Sequence, residues 1–229
     1  MTKTVLLTTL VLAAGASVAA QTPEQVAAEP LVQLQPGETA VEGECLTRQE
    51  LDVIAGLNAL RRPTVGVEGT NAGDDQMPFN PHYYVGTWEI EGVLPESPIG
   101  SSGEFLGTET VRYVGGCTYE GTIDATIDGD PLTVQVQMYY DRRAKYLVRV
   151  EDDSRGFRLV KSGRVGGDAG GYFTHHWTAP GITRDGSTVR LSGAFFASSP
   201  FDLRLRMRLS VDDGPFANYG TVWWRRPVQ

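Results

Sequence analysis

From about Tyr83 onward, the chain is a series of short segments in which apolar and polar residues alternate. In Leu203–Ser210, every odd-numbered position is apolar and every even-numbered position is polar. A period of two is typical of a β-strand with one buried and one solvated face. The pattern predicts ten strands, near residues 83–92, 103–114, 117–127, 132–140, 145–151, 156–164, 171–179, 187–197, 202–211 and 216–226.

Tight turns separate most of these predicted strands. Gly115-Gly116, Asp128-Gly129 and Asp185-Gly186 are pairs that favour sharp chain reversals. Short turns without intervening helices imply antiparallel neighbours in an up-and-down order. Because a closed sheet has no exposed edges, we predict an all-β, antiparallel β-barrel of about ten strands; a two-sheet sandwich is the alternative.

One helix is predicted before the barrel. Thr47 and Glu50 have the spacing of a capping box, Leu46 can pack on Leu51, and Pro63 prevents continuation. The apolar residues of this helix fall on one face: Val53, Ile54, Leu57 and Leu60. The predicted organisation is a signal peptide (1–20), a flexible leader (21–45), the helix (46–62), an irregular connection (63–82) and the barrel (83–229).

The N-terminus has the pattern of an export signal. Lys3 supplies a positive charge, an apolar run follows, and Val18-Ala19-Ala20 forms a small-residue cleavage site before Gln21. We therefore expect an exported protein, periplasmic or secreted, and no transmembrane segment. The formal net charge of −8 argues against nucleic acid as a partner. The sequence does not indicate an oligomeric state.

The chain contains two cysteines, Cys45 and Cys117. In an exported protein the default is a disulfide, which here would attach the start of the helix to the barrel. Two buried free thiols or a metal-binding pair are the alternatives.

The alternation also predicts which side chains point into the barrel. In the fifth predicted strand it places Tyr146, Val148 and Val150 inside. Since ten strands enclose more space than eight, we expect room for a ligand. The candidate ligand-binding residues on the inner face are Trp88, Phe105, Glu109, Tyr113, Tyr119, Tyr140, Tyr146, His175, Trp177, Phe195 and Trp224.

Two of these candidates can carry chemistry. Glu109 falls in register with apolar inner positions, so it could hold a polar ligand group or act as an acid or base; a structural salt bridge or a register break is the alternative. His175 is predicted inside and His176 outside, because adjacent strand residues face opposite ways. His175 could contact a ligand or be a structural histidine. No metal site or cofactor is indicated.

Two further features are weaker signals. Arg204, Arg206 and Arg208 form a basic ridge on an outer face, which is either paired with acidic neighbours or an interaction patch. The glycine-rich run Gly166–Gly171 has no following Lys-Ser/Thr or helix, which indicates a flexible loop at the barrel mouth and not a phosphate site.

Several motifs resemble those of a bacterial family of lipocalin-like (calycin-like) β-barrel proteins. They are Gly86-Thr87-Trp88, Gly107-Thr108-Glu109-Thr110-Val111-Arg112, Gly115-Gly116 and Tyr140-Asp141-Arg142. The resemblance spans roughly residues 83–229 and implies the barrel, without an activity. It also implies packing of Trp88 against Arg225 or Arg226. Haem-binding nitrobindin-like barrels have a similar opening, but they carry a C-terminal histidine that is missing from Val222–Arg226.

The leading hypothesis is an exported barrel that binds or sequesters a small hydrophobic or planar ligand in its interior. A barrel enzyme that uses Glu109 and His175 as an interior acid/base pair is the second hypothesis. A non-catalytic envelope interaction module, acting through the helix or the arginine ridge, is the third.

Overall fold

A computed structural model of the chain describes residues 34–60, 79–167 and 172–227. The predicted signal peptide, residues 21–33 of the leader, residues 61–78 of the connection and residues 168–171 of the glycine-rich run lie outside the described residues. Within the described ranges, no helix reaches the length and apolarity needed to cross a membrane.

The described chain is all-β, with eleven antiparallel strands in one sheet. The strands are β1 (Gly86–Leu94), β2 (Gly103–Gly115), β3 (Thr118–Ile127), β4 (Asp130–Asp141), β5 (Tyr146–Asp153), β6 (Phe157–Gly167), β7 (Phe173–Thr178), β8 (Ile182–Arg184), β9 (Ser187–Ser199), β10 (Asp202–Val211) and β11 (Ala217–Arg225). Their order is β10-β11-β1-β2-β3-β4-β5-β6-β7-β9-β8, and β9 also pairs with β10.

The β9–β10 pairing closes ten strands into a barrel, which confirms the predicted fold. The short strand β8 is an addition: it forms a hairpin with the start of β9, through Thr183 and Thr188. A two-sheet sandwich is excluded because the hydrogen-bonded order returns to its first strand.

One helix, α1 (Arg48–Leu60), precedes the barrel in the described part of the chain. Its capping box is formed: Glu50 N–H donates to Thr47 Oγ1 at 3.2 Å, and Thr47 N–H donates to Glu50 Oε2 at 2.7 Å. Leu46 is buried, whereas Val53 is 46% exposed, so the predicted apolar face is wrong at Val53. The side chains of Ile54, Leu57 and Leu60 lie outside the described set.

Two contacts attach the start of α1 to the barrel. Cys45 and Cys117 form the predicted disulfide. Glu50 also forms an ion pair with Arg142, in the turn between β4 and β5. Since a short helix is marginal alone, these links explain how it is held against the sheet.

A single-turn 3-10 helix, Pro81–Tyr84, enters β1, and an arginine from the far end of the chain fixes it. Arg226 donates to the carbonyls of Tyr83 and Val85 at 2.8 and 3.0 Å, and its guanidinium lies 4.2 Å from the Trp88 ring centroid. Gly86 has φ 120°, and a Cβ there would lie 2.6 Å from Arg226 Nη1. This contact and the positive φ at Gly86 account for the Gly-x-Trp motif: glycine tolerates the backbone conformation, and Trp88 supplies the ring on which Arg226 stacks.

The barrel interior is occupied by large side chains. Trp88, Tyr119, Tyr140 and Phe195 each keep at most 2% of their accessible surface. The ten strands therefore surround a well-filled interior at these residues. The expectation that ten strands leave open room is wrong here, because large aromatic side chains fill the added space, and any guest has to be compact.

The predicted orientation of β5 is wrong. Leu147 and Arg149 are buried, at 1% each, while Tyr146, Val148 and Val150 belong to the outer face. Val148 and Val150 face outward because the inner positions beside them carry Arg149 and Glu151, which pair inside the barrel.

Candidate functional site

The barrel interior contains a carboxylate that is held at both oxygens. Glu109 on β2 is 3% exposed. Its Oε1 atom lies 2.8 Å from Nη1 of Arg149 on β5, and its Oε2 atom accepts a hydrogen bond of 2.7 Å from Nε1 of Trp224 on β11. A buried carboxylate needs partners of this kind to stay charged. The prediction that Glu109 lies on the dry face is confirmed.

A second ion-paired group continues from Arg149. Its Nε donates to Oε1 of Glu151 at 2.6 Å, and Nζ of Lys161 on β6 donates to the same oxygen at 2.7 Å. We refer to Glu109, Arg149, Glu151 and Lys161 as the interior charge cluster. Two carboxylates and two cations cancel when all four are ionised, so the cluster adds no net charge to the core.

The cluster stabilises its own charged forms. Burial alone would raise the pKa of Glu151, but Lys161 and Arg149 outweigh burial and lower this pKa to about 2. Burial works against the charge of Arg149, yet Glu109 and Glu151 raise its pKa above the usual value. Burial lowers the pKa of Lys161, and Glu151 opposes part of that change. Glu151 and Arg149 are therefore charged at neutral pH.

The phenyl ring of Phe195 on β9 is the common neighbour of these groups. Cζ of Arg149 lies 5.8 Å from its centroid, and Nζ of Lys161 lies 5.9 Å from it. The His175 ring is stacked on it at 6.2 Å, and the Tyr84 ring meets it edge-on at 6.4 Å. Polar side chains from separate strands and from the 3-10 helix thus converge on one small region.

Several buried polar atoms in this region have no hydrogen-bond partner among the described residues. They are the Tyr84 hydroxyl, Arg149 Nη2, both ring nitrogens of His175, Trp177 Nε1, and Glu109 Oε1, whose contact with Arg149 is an ion pair and not a hydrogen bond. The Trp177 ring belongs to the same region because Lys161 Nζ lies 5.1 Å from its centroid. Each such group costs about 1–3 kcal/mol when left unpaired. The site is therefore equipped to bind a polar group.

His175 is electrically neutral in this environment. It is fully buried, and burial together with the cations Arg149 and Lys161 lowers its pKa to about 3; the Leu147 backbone opposes part of this change, although it does not reach hydrogen-bond geometry with either ring nitrogen. His176, its neighbour, is exposed on the outer face. The predicted opposite orientation of the two histidines is confirmed.

The other candidate residues are placed as follows. Those buried on the inner face are Trp88, Phe105, Glu109, Tyr119, Tyr140, His175, Trp177, Phe195 and Trp224. Tyr113 is partly exposed near the disulfide, where its hydroxyl donates to the Gly43 carbonyl at 2.7 Å. Tyr146 is on the outer face and contacts Ser162 through its hydroxyl at 3.2 Å, so its predicted inner position is wrong. Ligand contact by the others stays a prediction.

Sequence reasoning missed Arg149, Lys161 and Tyr84. One signal could have found the first two. A buried Glu109 requires a cation, and Arg149 and Lys161 each share a strand face with a leucine two residues earlier, Leu147 and Leu159, that is suited to a core. Tyr84 gave no such signal: the predicted first strand, 83–92, included it, whereas β1 begins at Gly86 and Tyr84 belongs to the 3-10 helix before it.

The geometry does not favour an acid/base pair of Glu109 and His175. Both oxygens of Glu109 are engaged by Arg149 and Trp224. A histidine whose pKa is about 3 is a weak base at neutral pH. Among the described residues, no group of three His, Cys, Asp or Glu side chains could hold a metal ion.

No protein-family model matches the chain, and no curated protein matches it. Among solved structures it is similar to Rv2717c from M. tuberculosis, with 15% identity and a TM-score of 0.54, over 64% of this chain and 94% of that chain. This likeness shows the barrel fold alone.

Two designed proteins are also similar in fold. One is a redesigned β-barrel, mFAP1, bound to DFHBI, with 14% identity and a TM-score of 0.36, over 63% of this chain and 96% of that chain. The other is a de novo designed fluorescence-activating β-barrel, with 16% identity and a TM-score of 0.37, over 64% of this chain and 95% of that chain. Scores this low support no argument about function.

Proposed function

We propose that this protein is an exported, lipocalin-like barrel that binds a small molecule in its interior, beside Phe195. The observation that carries the proposal is the group of buried, unpaired polar atoms on Tyr84, Arg149, His175 and Trp177. Unpaired polar groups destabilise a core, so selection for stability alone would replace or pair them. A ligand that satisfies them gives a reason for their presence.

The chemistry of these atoms defines the ligand class. Arg149 and Trp177 can only donate hydrogen bonds, whereas Tyr84 and His175 can donate or accept. The ligand should therefore carry acceptor oxygens, as a carbonyl or carboxyl group does. Because the interior charge cluster contains two carboxylates and two cations, the ligand need not bring a balancing charge.

The surrounding rings define the rest of the ligand. Phe195 and Trp224 meet edge-on with centroids 5.5 Å apart, and both are buried. A flat or apolar body would pack on such rings. The full interior restricts the ligand to a compact one. We propose a small planar or apolar molecule with a carbonyl or carboxyl end.

Two observations support export. Residues 1–20 have the composition of a signal peptide, and the disulfide between Cys45 and Cys117 suits an oxidising compartment. Fractionation of the expressing cell, with protease protection of each fraction, would test the location directly.

The binding proposal is tested with variants that remove an unpaired polar group and keep an aromatic ring. We expect Tyr84→Phe to retain or raise the Tm of the protein without ligand, since only an unpaired buried hydroxyl is removed. Trp177→Phe removes the unpaired indole N–H but also leaves a cavity, so its Tm without ligand should be lower than that of Tyr84→Phe. The same variants should lose the Tm increase that a binding carboxylate or ketone gives to the wild-type protein. Thermal shift and native mass spectrometry with a panel of aromatic and aliphatic acids, ketones and matched amines provide the readout.

Two outer-face substitutions are matched controls. Tyr139→Phe and Trp223→Phe remove the same atoms from partly exposed positions, and they should leave any ligand-induced Tm increase unchanged. The proposal is wrong if no oxygen acceptor in the panel raises the wild-type Tm. It is also wrong if the controls and the interior variants lose binding equally.

A further inference from the structure

An open groove with a volume of about 520 Å³ crosses the outer wall of the barrel over β5, β6, β7, β9 and β10. Tyr146 borders it on β5, Phe196 on β9, and Arg206 and Arg208 on β10. This volume is within the range of known small-molecule sites, at roughly 300–1,000 Å³. Most of its walls are outward-facing side chains, which distinguishes it from the interior site, although the buried ring of Trp177 also borders it from below.

The floor of the groove lies where the β6–β7 ladder is interrupted. Ser162 pairs with Thr178, and Val165 pairs with His175, with no ladder pair between them. Gly163 lies at this interruption, where it is in close contact with the backbone of β7. The sheet surface is therefore not covered by large side chains at this point.

The basic side of the groove has no acidic partners. Within the described ranges, Arg204, Arg206 and Arg208 form no ion pair with a carboxylate. The alternative that acidic neighbours pair with this ridge is therefore wrong for the described residues. In a chain with a net charge of −8, an unpaired basic strip is complementary to an anionic partner.

Aromatic rings hold the arginines in place. The guanidinium of Arg206 lies 5.7 Å from the Phe196 centroid, and that of Arg208 lies 5.7 Å from the Phe216 centroid. Arg208 also donates to the Phe216 carbonyl at 3.1 Å. Stacked guanidinium groups keep their edges free to donate to carboxylates, and preorganisation lowers the entropy lost on binding.

The remaining groups suit a sugar chain. The hydroxyls of Tyr146 and Ser162 can exchange hydrogen bonds with sugar hydroxyls, and the Phe196 ring offers a flat apolar surface for a sugar ring. Arg206 and Arg208 are alternate residues of one strand, about 7 Å apart along it. Two carboxylate groups of one oligosaccharide can therefore contact Arg206 and Arg208 at the same time.

Other anionic partners fit less well. A peptide that binds a sheet usually pairs with the backbone of an exposed edge, but β5, β6, β7, β9 and β10 each have strands on both sides. A nucleic acid is opposed by the net negative charge of the protein. From the open groove, the unpaired arginines, the hydroxyls and the aromatic surface, we infer that this outer groove binds an acidic carbohydrate, one that carries carboxylate groups.

The test uses the full exported chain and a defined oligogalacturonate, with a neutral oligogalactoside of equal length. Calorimetry should detect binding of the acidic oligosaccharide, weakening as salt is raised, and no binding of the neutral one. We expect Arg206→Gln/Arg208→Gln to weaken binding about tenfold or more, because the double variant loses two charge-assisted hydrogen bonds to the ligand. Phe196→Leu should also weaken binding, and an unchanged Tm would show that each variant is folded.

Arg204→Gln and Arg112→Gln are matched controls. Arg204 belongs to the same strip but does not line the groove, and Arg112 is on β2. Both should keep binding within about twofold of wild type. Tyr84→Phe, which alters only the interior site, should leave it unchanged.

Four outcomes would overturn the inference. They are no binding of the acidic oligosaccharide, equal weakening by the control substitutions, equal binding of polyglutamate, and a concentration-dependent dimer that Arg206→Gln/Arg208→Gln abolishes. The last result would assign the groove to a second copy of the chain.

Discussion

Trp224 on β11 donates its indole N–H to Oε2 of Glu109 on β2 at 2.7 Å, across 115 residues of sequence. The two strands are not neighbours, because β1 lies between them. In the ladders, Trp224 is opposite Ile90, and Glu109 is opposite Trp88. The last strand must therefore be in place before the buried carboxylate has both of its partners, which couples closure of the barrel to its interior charges.

Glu109→Leu should lower the free energy of unfolding by about 3–5 kcal/mol, since it leaves Arg149 with one counter-charge fewer and Trp224 without an acceptor. Urea denaturation measures this change. Glu104→Leu, at an exposed position of the same strand, should cost about 0.5 kcal/mol or less. Equal effects of the two substitutions would show that the interior ion pair does not stabilise the barrel.

His175 should make the protein less stable as the pH falls from about 6.5. The pKa of its side chain is about 3 in the folded protein and 6.5 without the fold, so the unfolded chain binds more protons between these values. Stability from this group is complete above pH 6.5 and is lost progressively toward pH 3, at up to about 1.4 kcal/mol per pH unit. His175→Phe should reduce the loss of unfolding free energy between pH 6.5 and pH 5 by about 2 kcal/mol.

Exposed His176 is the control for that experiment. His176→Phe should leave the slope unchanged, because this ring is on the outer face. Chemical denaturation at several pH values between 7 and 5 gives the slopes. Glu151 contributes in a lower range: its lowered pKa of about 2 adds stability that is present above 4.5 and is lost as the pH falls toward 2. A slope that survives His175→Phe unchanged would contradict the assignment.

Most of the barrel could be predicted because its local signals agree with one another. In β10, Leu203, Leu205 and Leu209 are buried as the alternation requires. The predicted burial of Glu109 was also correct, since it shares the inner face of β2 with Phe105 and Val111. Period-two patterning determines the face of a residue wherever that face is apolar.

The interior charge cluster could not be predicted in the same way. On β5, hydrophobicity favours Val148 and Val150 as the inner residues, but Arg149 and Glu151 are the residues that pair inside. A one-residue change of register exchanges the two faces of a strand. Ion pairing with Glu109 on β2 and Lys161 on β6 outweighs local hydrophobicity here, and alternation within one strand contains no information about partners on other strands.

Removal of the disulfide should destabilise the protein by about 4 kcal/mol in the loop-entropy model. Cys45 and Cys117 are 72 residues apart, so the crosslink restricts a long segment of the unfolded chain. Cys45→Ser/Cys117→Ser, compared with the oxidised wild type by urea denaturation, measures the loss. Under reducing conditions the two proteins should differ little; a difference that persists would point to packing of the sulfur atoms as the cause.

Gly163→Ala should destabilise the barrel because of one backbone contact. A Cβ at this position would lie 1.7 Å from the carbonyl oxygen of His176, which belongs to the backbone of β7 and cannot rotate away. β6 and β7 would have to separate, at a cost of about 1–3 kcal/mol or more. Gly166→Ala is a control in the same strand, since a Cβ there would have no atom within 4 Å. Unfolding in urea should therefore distinguish the two alanine variants. Lys161, which contacts the Trp177 ring, is two residues before Gly163. We therefore expect the folded Gly163→Ala variant to show altered Trp177 fluorescence as well. Similar curves for both variants would mean that the two strands can move apart freely at this point.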